Sequence, residues 1–320
     1  MNSWQFIVEE KKCGNKVVLL YVVQSAGSSP GRQGFKMAVS NSGKMCGSIG
    51  GGIMEHKFVE MAKEELNSGI EKISLHLQVH HKDAGQNRSG MICSGEQTLL
   101  ICPVNSNDIE PIESLIKAEA LYKNGTLKIS NEGIHYLEDI PANDFHFNSS
   151  ETGFTYLEKT GYKFHLHIIG GGHCALALSR LFSSMDFFIT VYDDRKGLNT
   201  IEENTYAHKI VLLKSYEEIS EHIPEMPGNY VVIMTFGYRT DDTVIRALAH
   251  RRFEYFGVLG STNKIGQMKR EYEKEKLHIA MQDKMFAPAG IPIHSQSPKE
   301  IAISIAAQII SVKNSKATEK

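Results

Sequence analysis

"HIIGGGHCALALSR", residues 167 to 180, decides how the second half of the chain folds. An apolar strand-like run ends in three glycines and gives way to a helical period, with Gly170, Gly172 and Ala175 spaced GxGxxA across the junction. In a dinucleotide-binding unit the first glycine makes the tight turn and the second lets backbone approach a pyrophosphate; the small third residue lets helix pack on strand. Helix amides and the helix dipole then favour the anion. His173, next to Gly172, is placed at the phosphate end. The following predicted strand closes on Asp193 and Asp194, about 20 residues on, where an acid would accept hydrogen bonds from a ribose and favour NAD-like over NADP-like ligands.

Working outward, FHLHIIG, FFITVYD, KIVLLK, NYVVIMT and YFGVLG are predicted strands in order, separated by helical periods. That alternation predicts a doubly wound parallel sheet wrapped by helices. His165 and His167 share a strand face and are read as an edge or subunit contact. Asp241 and Asp242 fit either a ligand contact at the C-terminal strand edge or N-caps of a helix over 243–252. Ser261 and Lys264 fit a second anion contact, or a short polar loop. Ser297, Pro298 and Glu300 form a capping-box pattern before the last predicted helix, Pro298 to Val312.

The first half carries a second glycine run, "MCGSIGGGIMEH", residues 45 to 56. VVLLYVVQSAG reads as a buried strand, SSPGRQG as a loop, and Asn41-Ser42-Gly43 as the turn of a hairpin. Ile53, Met54, Phe58, Met61, Ala62 and Leu66 keep helical spacing, so Gly50 to Gly52 lie between strand and helix. A close approach should justify so many bare positions. A helix over the segment after residue 105, a hairpin through 130–133 and a polar connection at Asn148, Ser149 and Ser150 complete this half, and the domain boundary is placed at 161/162.

The whole is an α/β protein of 320 residues, long enough for two domains, 1–161 and 162–320. A formal charge of −2 with no basic run removes the electrostatic case for nucleic-acid or anionic-membrane binding. No apolar run reaches the ~18 residues of a membrane span, and no leader pattern opens the sequence, so a cytoplasmic location is expected. Five cysteines without a CxxC pair argue against a disulfide framework or structural zinc. His80, His81 and Asp83 are adjacent on a polar loop rather than at metal-site spacing. Cys46 and Cys102 sit in apolar strands and read as core.

The order of these motifs resembles the XdhC/CoxI family, maturation factors of molybdenum-containing xanthine and carbon monoxide dehydrogenases. GSSPGRQGFKM, GSIGGGIME, MICSGE, GGGHCA, VYDDR, TFGYRTDD and GVLGSTNKI carry the likeness, and it extends over most of the chain. Ile53 stands where the family often has cysteine, and Phe236 and Tyr238 where it often has arginine and histidine. The resemblance implies a family-specific N-terminal α/β domain, a C-terminal Rossmann-like domain and a homo-dimer. It further implies binding of molybdenum cofactor and delivery to a molybdenum hydroxylase apo-enzyme. On that view Gly50, Gly51 and Gly52, with Ser48 and the first amides of the helix from Ile53, cradle an anionic group of the pterin cofactor or a nucleotide. Lys36 neutralises it, Glu55 matches the family's acid, and the Cys93 thiolate, a soft ligand, meets molybdenum or its sulfur. No complete nucleophile–base or paired-carboxylate constellation accompanies either glycine run, so no catalytic residue is named. The alternatives are an NAD-dependent oxidoreductase, with Gly170, Gly172 and Asp193 holding cofactor, and a non-catalytic nucleotide sensor.

Overall fold

The computed structural model describes residues 2–69, 72–79, 95–277 and 285–315. The chain divides into two compact units, Met1–Gly161 and Tyr162–Lys320. In the first, α1 (Ser3–Lys12) is started by a capping box between Asn2 and Gln5. β1 (Val17–Gly27), β2 (Lys36–Ser40) and β3 (Met45–Ser48) follow, then α2 (Gly52–Ser68), β4 (Ser74–Val79) and β5 (Gly95–Pro103). These strands form one antiparallel sheet in the order β3-β2-β1-β5-β4.

β1 explains the layering. Its residues from Val17 to Val23 are all buried, and alternate side chains enter different cores. Val18, Leu20 and Val22 pack with Met54, Phe58 and Ala62 of α2. Val17, Leu19, Tyr21 and Val23 pack with Trp4, Ile7, Ile112 and Leu115 and with a second sheet. That sheet follows α3 (Ile109–Ala120) and comprises β6 (Gly125–Ser130), β7 (Gly133–Leu137), β8 (Phe145–Ser150) and β9 (Gly153–Thr160), in the order β7-β6-β9-β8. The hairpin through 130–133 is present. Asn148, Ser149 and Ser150, expected as a connection, are instead the end of edge strand β8, paired with β9. Phe145 and Phe147 alternate inward there, and the polar partners between them face water as an edge strand allows.

The second unit runs β10 (Phe164–Ile169), α4 (His173–Phe182), β11 (Phe187–Asp193), α5 (Asn199–Glu202), β12 (Lys209–Leu212), α6 (Ile219–His222) and β13 (Asn229–Ile233). It continues through α7 (Tyr238–Leu248), β14 (Tyr255–Val258), α8 (Thr262–Glu275), β15 (Met285–Phe286) and α9 (Pro298–Ser315). The strands form one parallel sheet in the order β12-β11-β10-β13-β14-β15. One face packs on α7 and α8, the other on α4 and α9. Strand order reverses between β10 and β13, so a crevice opens there beyond the carboxyl ends of the strands.

The central place of β10 also relocates His167, which is no edge residue. It is buried between Tyr192 Oη, 3.0 Å from Nδ1, and Asn229 Oδ1, 3.1 Å from Nε2. The box at α9 forms as read: Ser297 N donates to Glu300 Oε2 at 2.9 Å and Glu300 N to Ser297 Oγ at 3.3 Å. Among the described residues no helix is long and apolar enough to cross a membrane.

Candidate functional site

In the second unit the glycine turn lies on the crevice. Gly170 has φ +109°, and a Cβ there would lie 2.3 Å from the Met234 carbonyl oxygen, so the chain leaving β13 requires the bare position. Gly171 N donates to Asp193 Oδ2 at 2.6 Å, and Thr200 Oγ1 donates to Gly171 O. Gly172 differs. Its φ of −76° and ψ of −171° suit any residue, and an added Cβ would meet nothing within 4 Å. It precedes α4 with no side-chain cap, and His173 is exposed at the first helical position. The first-turn amides of such a helix lack intrahelical acceptors and offer themselves to an anion.

Asp193 is occupied inside the protein, which revises the expectation that it meets a ribose. Oδ1 accepts from Arg195 N at 2.9 Å and Arg195 Nε at 2.8 Å; Oδ2 accepts from Gly171 N and from Arg195 Nη2 at 2.7 Å. The four acceptor positions of a carboxylate are filled, and the side chain is fully buried. Burial alone would raise the pKa of this group, but the hydrogen bonds from Arg195 and Gly171 outweigh it and hold the carboxyl below its ordinary value.

Across the crevice the loop after β13 rests on Asp241. This buried carboxylate accepts from Thr235 N at 3.1 Å, from Thr235 Oγ1 and from Lys264 Nζ. Asp241 and Asp242 are not N-caps: α7 starts earlier than expected, at Tyr238, because Gly237 and Thr240 supply its cap. Asp242 instead holds Arg246 at 2.9 Å and Tyr272 Oη at 2.9 Å. Ser261 caps α8 through Lys264 N at 3.3 Å, and Lys264 is committed to Asp241. The structure brings Asp241 and Lys264 together as a structural ion pair rather than as a second anion contact.

In the first unit the glycine run answers to a neighbouring loop. A Cβ on Gly50 would lie 2.5 Å from Gly31 N, and one on Gly31 2.1 Å from Ile49 O. Main chain meets main chain. Gly31→Ala is therefore expected to cost about 2 kcal/mol, read as a lower denaturation midpoint at unchanged slope.

The expected cradle is already filled by the chain itself. Glu55 Oε2 accepts from Ser48 Oγ at 2.6 Å, from Ile49 N at 2.9 Å and from Gly51 N at 3.0 Å, while Gly50 N donates to Ser48 Oγ at 3.1 Å. Burial raises the Glu55 pKa, and these donors more than offset it, leaving the carboxylate favoured. Glu55 so occupies the place assigned to an external anion beside Gly50 and Gly51. Lys36 does not join them. Its Nζ lies 5.6 Å from the Trp4 ring and 5.2 Å from the Tyr21 ring and donates to Gly34 O at 3.2 Å, on the sheet face opposite α2. Arg32 donates to Gly27 O at 3.0 Å.

Cys93, His80, His81 and Asp83 lie outside the described residues. Among the described residues no group of three metal-ligating side chains is assembled. Cys102 is buried, and burial pushes its thiol pKa up; Cys46 is half-buried in β3.

Two family profiles match this architecture, one described as the XdhC Rossmann domain over residues 166–309 and one as the XdhC and CoxI family over residues 12–77. The chain belongs to the XdhC/CoxI family. Among similar proteins, this XdhC/CoxI chain is 23% identical over 314 residues to a probable xanthine dehydrogenase subunit of Bacillus subtilis, covering 92% of each. It is 24% identical over 313 residues to the uncharacterized YqeB of Escherichia coli, covering 96% of this chain but 45% of that protein. This chain thus spans under half of the Escherichia coli relative. A crystal structure described as a xanthine dehydrogenase from Bacillus halodurans shares the fold, with TM-score 0.71 and 21% identity over 98% of this chain and 96% of that one.

Three parts of this candidate site escaped the sequence reading: Thr200, Thr235 and the Arg195 clamp. Thr200 reaches Gly171 from 29 positions away, where no local pattern could announce it. Arg195 sits two residues past Asp193, close enough that a competing partner for the acid was legible.

Proposed function

We propose that the chain is a maturation factor of a xanthine dehydrogenase-type molybdenum hydroxylase, which binds molybdenum cofactor and hands it to the apo-enzyme. Membership of the XdhC/CoxI family and the xanthine dehydrogenase naming of relatives support the association. The observation that carries a binding role is Gly172, a bare position that the fold itself does not need, at an uncapped helix start. The cofactor's phosphate would sit on the α4 first-turn amides beside Gly172 and His173. Gly170 shapes the turn, and Asp193 holds it through Gly171. Cys93, whose thiolate is a soft ligand, stays a separate candidate for molybdenum or its sulfur, as the family resemblance implies. Asp193 is saturated by internal donors, which weighs against the NAD-dependent alternative.

Gly172→Ala separates a ligand role from a fold role. Stability should stay within about 0.5 kcal/mol of wild type, because the new methyl meets no neighbour. Pterin and molybdenum retained by protein purified from cells making the cofactor should fall at least ~10-fold, a loss of about 1.4 kcal/mol of binding. Cys93→Ala should lower retained molybdenum more than retained pterin. Wild-type protein that retains no pterin, or that turns over NADH, refutes the proposal.

A further inference from the structure

The loop that closes the crevice holds an apolar ring out in water. Phe236 is 88% exposed, the most exposed large hydrophobic side chain among the described residues. It stands where strand order reverses, directly after β13, and a Cβ on Gly170 would come within 2.9 Å of Thr235 Cα, so the ring's loop abuts the glycine turn.

Its loop is pinned on both sides. Thr235 is fixed to buried Asp241 through N and Oγ1, and Gly237 N donates to Thr240 Oγ1 at 3.2 Å while its carbonyl accepts from the same hydroxyl at 3.0 Å. The Arg195 guanidinium, itself clamped by Asp193, lies 5.8 Å from the ring centroid. The backbone on either side of the ring is held and the cation beside it is immobilised, so covering the ring with a flat partner orders only the ring's own rotamer.

We propose that Phe236 is a stacking platform for the planar nitrogen heterocycle of a phosphate-bearing ligand, with Arg195 steering the negative charge. The inference rests on the reading above in placing the phosphate at the Gly172 turn, and it adds the recognition of the ring. Two sources share this chemistry: the pterin of the cofactor and the base of a nucleotide. Neither needs the saturated Asp193, since an aromatic face accepts a flat heterocycle without reading a ribose.

Titration of wild type, Phe236→Ala and Phe236→Trp with neopterin phosphate, ADP and ribose 5-phosphate tests it. At least one heterocycle should bind wild type, Phe236→Ala should weaken it ~10-fold or more, and Phe236→Trp should keep it and report it by quenched fluorescence. Ribose 5-phosphate should bind far more weakly than the heterocycle. Melting temperature should not move in either variant, because the ring packs on little. Equal heterocycle binding by wild type and Phe236→Ala, binding no better than ribose 5-phosphate, or Phe236-dependent self-association without ligand binding overturns the inference. Failure of the two proposals is distinguishable. Retained cofactor that survives Phe236→Ala sinks the platform alone, whereas Phe236-dependent ADP binding by protein that never retains pterin sinks the maturation reading alone.

Discussion

Asp241→Ala is expected to lower the stability of the second unit by about 4 kcal/mol, the range for removing one partner of a buried ion pair. The carboxylate is fully buried and satisfies Thr235 twice and Lys264 once. Its loss strands a lysine ammonium that is only 22% exposed and a loop amide with no replacement acceptor. Denaturant unfolding should show the drop. Adding Lys264→Met should recover much of it, since the cost lies mainly in the unpaired charge. A single variant that unfolds like wild type would show that the pair is not closed in solution.

The second large effect is with pH. His167 is buried, and that burial, opposed by the Asn229 hydrogen bond and reinforced by His165, lowers its pKa from 6.5 to about 4. Between those two values the unfolded chain takes up a proton that the folded chain refuses, so stability falls as the pH is lowered from about 6.5 and the loss is complete near 4. Above 6.5 the contribution is fully present. Its size is about 3 kcal/mol, since each pH step of one between the two values costs about 1.36 kcal/mol. The pH dependence of unfolding free energy in wild type minus that in His167→Gln isolates this step from the acidic groups, and the difference should be flat above pH 6.5.

Regular structure was legible where a single pattern decided it. Five of the six strands of the parallel sheet, the Asn41-Ser42-Gly43 hairpin and the capping box at Ser297 each followed from local spacing. β15 is two residues long and lies at the sheet edge, too short to show a period. β8 was missed because an edge strand can be polar on one face, which makes it resemble a loop.

The sites were less legible for one physical reason. Glycine and acid spacing announces that backbone amides will be gathered, but not what will fill them. At residues 48–51 the filler is Glu55, and at Gly171 it is Asp193. In both units an acid expected to face a ligand turned inward to serve the turn. Phe236 stood out only as the place where an aromatic replaces the family's frequent arginine, a change whose meaning depends on its exposure.

The contact between Gly31 and Gly50 has a mechanical side. Both partners are main chain, so neither can yield by changing a rotamer, and the loop between β1 and β2 is coupled rigidly to the entrance of α2. A shift of the loop between β1 and β2 toward Gly50 would press on the turn that opens α2. The first unit thereby has a ready-made lever, restrained at one end by the hold of Glu55 on Ile49 and Gly51 and at the other by that of Gln97 on Gly31.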